Sequence, residues 1–303
     1  MKTLSTKRWQ AAVSFLKNDA RPLEGALVAY FFEGGTAERV WTELAHFQNP
    51  DGGFGHGLEA DIRLLGSSVI ATTVAFQWLR ELQTPADHPL VVAGCRYLRE
   101  QYAADHLNWS IIPPSIDDAP HAPWWQFDGD LMGRQINPRV EILGYVYDYA
   151  AHFPSGMREQ LTDSVVTHLV SQSNEMEMHD LLCCLRLLET RSLPAVVREP
   201  LREKLTAVIN HTVERNPDSW RVYGLPPLGV IKSPESLFAG LFTAEIEANL
   251  DFLIEQQGVD GTWSPAWSWG DLWPEAWAQA EREWRGALTL DNLRVLKAFG
   301  RVG

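Results

Sequence analysis

Five segments of this chain carry side chains that could move a proton or hold a ligand. The first, Gly55-His56-Gly57-Leu58-Glu59-Ala60-Asp61-Ile62-Arg63, sets an imidazole, two carboxylates and a guanidinium close together. Asp61 is the proton-transfer candidate here, and His56 and Arg63 are ligand-holding candidates. A surface Asp61–Arg63 or Glu59–Arg63 pair is the plainer alternative and would contribute little. The second, Pro120-His121-Ala122-Pro123-Trp124-Trp125, stiffens a loop with two prolines and presents an imidazole beside two indoles. His121 suits general acid/base work, and Trp124 and Trp125 suit a platform for a carbocation, a sugar ring or an apolar chain. Alternatively the two indoles only pin the loop to a rim.

The third is Ser115-Ile116-Asp117-Asp118. A carboxyl keeps its proton near neutral pH only if it is buried or has a like charge beside it, and Asp118 could supply that charge to Asp117. A solvated acidic pair is the bland reading. In the fourth, His179-Asp180-Leu-Leu-Cys183-Cys184, the spacings i, i+3 and i, i+4 put imidazole, carboxylate and thiol on one helix face. A buried, hydrogen-bonded His179 with core cysteines explains it equally. The fifth is a run of tryptophans: Trp263, Trp267, Trp269, Trp273, Trp277 and Trp284, out of 13 in the chain. A buried indole needs a partner for its N–H, so such a cluster suggests girders, a lined cavity or both. Trp267, Trp269 and Trp273, in a Pro/Gly-bounded loop, and Trp284 are the wall candidates.

The elements that must position these groups read as helices. Leu161, Val165 and Leu169 form one stripe of 3.6 period, with Val166 and Val170 beside it, and Ile246, Leu250 and Leu253 form another. Residues 140–151 are apolar on nearly every side, which predicts a helix buried all round, with Asn137 as its cap and Pro138 in its first turn. A last helix is expected over about 288–299, stopped by Gly300. Strand signals are weak. Asp51-Gly52 and Asp260-Gly261 each follow a helical pattern, so they read as helix–turn–helix punctuation and not as hairpins.

Composition narrows the class. The net charge is −13, with no basic run, which disfavours nucleic acid and anionic membrane surfaces. No stretch is apolar enough to span a bilayer, and residues 1–20 lack the apolar core of a secretion signal. Three cysteines, two of them adjacent, point to reduced thiols and a cytoplasmic location. Phosphate-loop, dinucleotide-binding, zinc-protease and nucleophile-elbow motifs do not occur. There is no linker, so a single domain over 1–303 is the simplest organisation. The Pro-rich stretch 112–123 is the longest irregular segment, the kind that is usually functional.

An internal repeat ties these readings together. Gln48-Asn-Pro-Asp51-Gly52-Gly-Phe54 matches Gln257-Gly-Val-Asp260-Gly261-Thr-Trp263 as Q-x-x-D-G-x-aromatic, and Gln101, Asp105 and Trp109 suggest a degraded third copy. Each good copy follows one apolar helix and precedes another that carries Ser or Thr. The Gln amide can tie one helix end to neighbouring backbone, Asp-Gly makes the turn, and the aromatic ring wedges between hairpins.

These two copies resemble the QW-type repeats of the terpenoid-cyclase and protein-prenyltransferase superfamily, as in squalene cyclase. The resemblance implies an all-α fold, an (α/α) toroid of inner and outer helices with an aromatic-lined central pocket. It further implies an apolar or isoprenoid ligand there, and lyase, isomerase or transferase chemistry. The family's class II cyclases protonate an alkene or epoxide from a D-x-D-D element. Asp117 stands at the matching position, but Ser115 replaces the first Asp. The prenyltransferases hold catalytic zinc through Asp, Cys and His, which would fall on Asp180, Cys183 and His179, though the spacing matches no known zinc site. The expectation is therefore no cofactor, with zinc as the alternative. Two rival functions remain: a carbohydrate-processing (α/α) barrel (lyase, hydrolase or epimerase), and a toroid that binds a ligand or protein without catalysis.

Overall fold

A computed structural model describes residues 1–129 and 135–303. The protein is mostly helical. In chain order the α-helices are α1 (Thr6–Asn18), α2 (Pro22–Phe32), α3 (Ala37–Ala45), α4 (Val69–Glu81), α5 (Pro89–Glu100) and α6 (Arg139–Asp148). They continue with α7 (Met157–Ser171), α8 (Met178–Leu188), α9 (Ala195–Thr212), α10 (Pro227–Val230), α11 (Thr243–Gln256) and α12 (Pro274–Ala298). The described residues include one two-stranded antiparallel sheet, β1 (Tyr102–Ala103) with β2 (Asn108–Trp109). Among the described residues no helix is long and apolar enough to cross a membrane. Cys95, Cys183 and Cys184 are free and buried.

The chain divides into two compact units, one of Met1–Leu44 with Val213–Gly303 and one of Ala45–Thr212. In the first, α1 packs against α2 and α12, and α10 against α11. Its two chain ends are clasped. Leu4 pairs in parallel with Val302, the Leu4 N–H donates to Arg301 O at 2.8 Å, and the Gly303 N–H donates to Leu4 O at 2.9 Å. Arg301 is only 3% exposed; it donates to Lys2 O at 2.7 Å, to Glu247 at 3.0 Å and to Asp251.

Burial works to raise the Asp251 carboxyl, but the Lys2 N–H and the Arg301 guanidinium outweigh it and hold it below its ordinary value. A depressed carboxyl contributes stability that is complete above the unfolded value of about 3.9 and is lost as pH falls through the folded one. The difference in Tm between wild type and Asp251→Asn is therefore expected to be present at pH 7 and to shrink steadily below about pH 4. Thermal melts across that range check it; a gap independent of pH would contradict it.

In the second unit α4 packs on α5 and α6, α6 on α7 and α8, and α9 on α7 and α8. Residues 139–146 of α6 are all buried, as the sequence predicts for a helix apolar on every side. Leu161, Val165 and Leu169 of α7 are buried too, whereas Val170 is exposed.

Three expectations need correction. Pro138 itself caps α6, which begins at Arg139, and the Asn137 N–H is taken by Asp180 Oδ1 at 3.2 Å. Helix α12 begins at Pro274, well before residue 288, because the tryptophans there sit among good helix formers (Ala, Gln, Glu and Arg) behind a proline in the first turn. Gly300 does follow its end, at φ +63°. The hairpin β1–β2 forms without a glycine turn; Leu107 takes the left-handed conformation at φ +48°.

The two repeat copies are built alike, one in each unit. Gln48 Nε2 donates to Gly52 O at 3.0 Å and to Leu90 O, in α5, at 3.1 Å. Gln257 Nε2 donates to Gly261 O at 2.7 Å and to Arg8 O, in α1, at 3.3 Å. Asp51 Oδ1 accepts the Gly53 N–H at 2.9 Å, and Asp260 Oδ1 accepts the Thr262 N–H at 3.1 Å. The Phe54 N–H donates to Thr72 Oγ1 of α4, and the Trp263 N–H to Thr289 Oγ1 of α12. Both aromatic side chains are buried. Trp109 shares one further trait: its indole N–H donates to Leu98 O, as that of Trp263 does to Leu253 O.

Candidate functional site

Behind the first repeat copy the chain makes a closed loop over residues 55–67, with its ends held by antiparallel pairing of Phe54 with Ser68. The His56 N–H donates to Leu64 O at 3.1 Å, and Asn49 Nδ2 donates to Leu65 O at 3.0 Å. Compact loops with adjacent ends are frequently functional. Glycine is required at position 57, where φ is +77° and a Cβ would lie 2.7 Å from Arg63 Nη2. The guanidinium thus rests against bare backbone.

This loop is joined to the Pro-rich segment. Ile62 pairs antiparallel with His121, the Arg63 N–H donates to Pro120 O at 2.9 Å, and the Ala122 N–H donates to Asp61 O at 2.9 Å. Residues far apart in sequence thus meet: Asp61, Arg63, Asp117 and His121 share one pair of bridged loops. Asp61 is 4% exposed, while Glu59 and Arg63 are partly exposed. His121 Nδ1 lies 2.8 Å from Ala119 O and can only donate to a carbonyl, which turns Nε2 toward Asp117. That Nε2 lies 3.6 Å from Asp117 Oδ1. Asp117 also accepts the Phe127 N–H at 3.2 Å.

Asp117 is not the buried acid that a proton donor calls for, because its side chain is 46% exposed; Asp118 is exposed as well. They lie on a short 3-10 turn, Pro114–Asp118, that buries only Ile116 and leaves both carboxylates outward. His56 is exposed and faces Asn49 Oδ1 at 2.9 Å. Trp124 is exposed, while Trp125 and Phe127 pack against a buried aliphatic cluster of Ile62, Ile111, Ile112 and Ile116. The Trp125 indole N–H is buried without a hydrogen-bond partner among the described residues.

The residues from His179 to Cys184 do not fit a zinc site. His179 is exposed at the start of α8, with its Nδ1 2.7 Å from Glu177 Oε1, so it is not the buried histidine the sequence suggests. Asp180 holds the Asn137 N–H. Cys183 faces Glu141, and burial pushes both the Cys183 and Cys184 thiols up, against the thiolate a metal needs. Among the described residues no group of three or more His, Cys, Asp or Glu is placed to hold a metal ion.

The wall candidates of the first unit divide. Trp269 is fully buried against Trp277, with centroids 5.7 Å apart, and is a girder. Trp267 packs edge-on against Trp284 at 5.1 Å and Tyr223 at 5.4 Å. Trp273, at the start of α12, is half exposed.

Sequence reasoning missed a buried polar cluster in the second unit. Glu141 of α6 accepts from Gln77 Nε2 at 2.9 Å, from Arg186 Nη1 at 2.8 Å and from the Tyr145 hydroxyl, with Cys183 Sγ at 3.6 Å. The available signal was a carboxylate and a tyrosine four residues apart in an otherwise apolar helix, which share a face. No protein-family model and no curated protein sequence matches this chain.

Proposed function

We propose that this chain is a terpenoid-cyclase-like (α/α) toroid that binds an isoprenoid at the bridged loops 55–67 and 110–127 and isomerises it by proton transfer. The observation that carries this reading is the bridge between Ile62 and His121, which joins the loop of Asp61 to the loop of Asp117 and His121 beside a buried cluster of Ile62, Ile111, Ile112 and Ile116 with Trp125 and Phe127 packed on it. Such a floor suits a hydrocarbon chain; a carbohydrate site would need a floor of hydrogen-bonding groups. The matched construction of the two repeats and the clasped chain ends support the toroid.

Asp61 is the buried carboxyl of the set. In the proposed reaction its O–H adds a proton to an alkene carbon. A second alkene closes the ring on the resulting cation, against the faces of Trp125 and Phe127. The cation then loses a proton to His121 Nε2 or to water, and Asp61 takes a proton back from solvent, so the product is an isomer. The unpartnered Trp125 N–H supplies a donor for a polar end group. Exposed Trp124 favours the carbohydrate rival, because an open indole face stacks on sugars.

Titration with farnesol, geranylgeraniol and a neutral oligosaccharide, followed by tryptophan fluorescence, separates the two. Saturable quenching by the isoprenoids is expected, with affinity weakened about tenfold in Phe127→Ser by loss of buried aromatic surface. Response to the oligosaccharide alone, or to none of the three, would sink the isoprenoid reading.

A further inference from the structure

Among the described residues two arginines are almost fully buried, and they are treated differently. Arg301 is 3% exposed and faces two carboxylates. Arg139 is 2% exposed and faces none among the described residues. Its Nη2 donates to Ser164 Oγ, and its Nη1 makes only long contacts to Gln135, 3.5 Å to the backbone O and 3.4 Å to Oε1. Its Nε is buried with no hydrogen-bond partner among the described residues. The Tyr102 hydroxyl, which interacts electrostatically with Arg139, is likewise buried without a partner.

An uncompensated buried cation costs several kcal/mol, and each orphaned polar group adds about 1–3 kcal/mol. One chemistry would satisfy all three: negative charge with acceptor oxygens. We propose that Arg139 and Tyr102 form an oxyanion site, with Ser164 and His168 at its rim, that takes a carboxylate or phosphate group.

The surroundings agree. Ser164 and His168 are one turn apart on α7 and so share a face. Both are partly exposed, as is Tyr102, so the rim residues reach solvent while Arg139 stays buried. Burial, then the Arg139 charge, holds the His168 imidazole below its ordinary value, so the rim adds no competing cation at neutral pH. The site stands apart from the argument about Asp61 and His121 and does not depend on it.

Thermal melts and calorimetry with inorganic phosphate and with acetate, each against chloride at matched ionic strength, test the proposal. Tm of the wild type should rise with at least one of the two anions. The stronger response identifies the group as phosphate or carboxylate. Tyr102→Phe removes only an unpartnered hydroxyl, so Tm without anion should hold while anion affinity falls at least about fivefold. Arg139→Met should abolish the anion response. Without anion it should melt no lower than wild type, because it deletes a charge that lacks a counterion among the described residues. A wild type indifferent to both anions, or a Tyr102→Phe protein that binds them as tightly as wild type, would overturn the site.

Discussion

Gly52→Ala is expected to lower stability by about 2–4 kcal/mol, with no change of ligand chemistry. Two costs add. Gly52 sits at φ +94°, where a Cβ costs about 1–2 kcal/mol. That Cβ would also stand 2.2 Å from Ala93 O, in backbone that cannot swing aside, and overpacking of this kind costs about 1–3 kcal/mol. Gly261→Ala should behave alike, with φ +88° and a Cβ 2.7 Å from Ala12 N. Gly34→Ala is the control. It shares the positive φ, at +73°, but its Cβ meets nothing within 4 Å, so only the conformational cost remains. Urea unfolding of the three variants checks the account. Equal losses at positions 34 and 52 would show that the helices do not close against the repeat turns as described.

Glu141→Ala should cost about 3 kcal/mol, the low end of the loss seen when one partner of a buried ion pair is removed, because the Arg186 side chain is 33% exposed. The carboxylate is 2% exposed and serves Gln77, Tyr145 and Arg186 together, so truncation strands three donors and leaves the Arg186 charge without its partner. Glu141→Gln keeps an acceptor oxygen and should lose less. The double variant Glu141→Met with Arg186→Met should recover much of the loss, because an apolar pair of similar volume often substitutes for a buried ion pair. A double-mutant cycle in urea measures the coupling. Additive losses would mean that Glu141 and Arg186 do not act as a pair.

The fold was legible where a pattern repeats and obscure where one contact decides. The apolar stripe at Leu161, Val165 and Leu169 and the all-round apolar α6 declare buried helix faces by period alone. The two Q-x-x-D-G-x-aromatic copies declare their turn because glycine, aspartate and glutamine each have one local task there. The start of α12 was obscure because tryptophan is a neutral helix former and the run at 263–284 reads as a cavity wall before it reads as a helix. Within the site, Asp61 and His121 were visible as residue types. The pairing of Ile62 with His121 was not, since an isolated bridge between two irregular segments has no periodicity. Glu141 was hidden because a carboxylate in the first turn of a helix usually serves the helix dipole, and Arg139 because an arginine at a helix start usually reaches solvent; only packing shows that these two are enclosed.

The most direct test of the proposed chemistry is deuterium incorporation. Wild-type protein incubated with geranylgeraniol in deuterated water should yield a cyclic isomer carrying one deuterium at the carbon that received the proton. Asp61→Asn, with an unchanged melt, should form it at least about a hundredfold more slowly, the scale set by loss of a general acid. Equal yields from the two proteins, or no cyclic product from the wild type, would contradict the role assigned to Asp61.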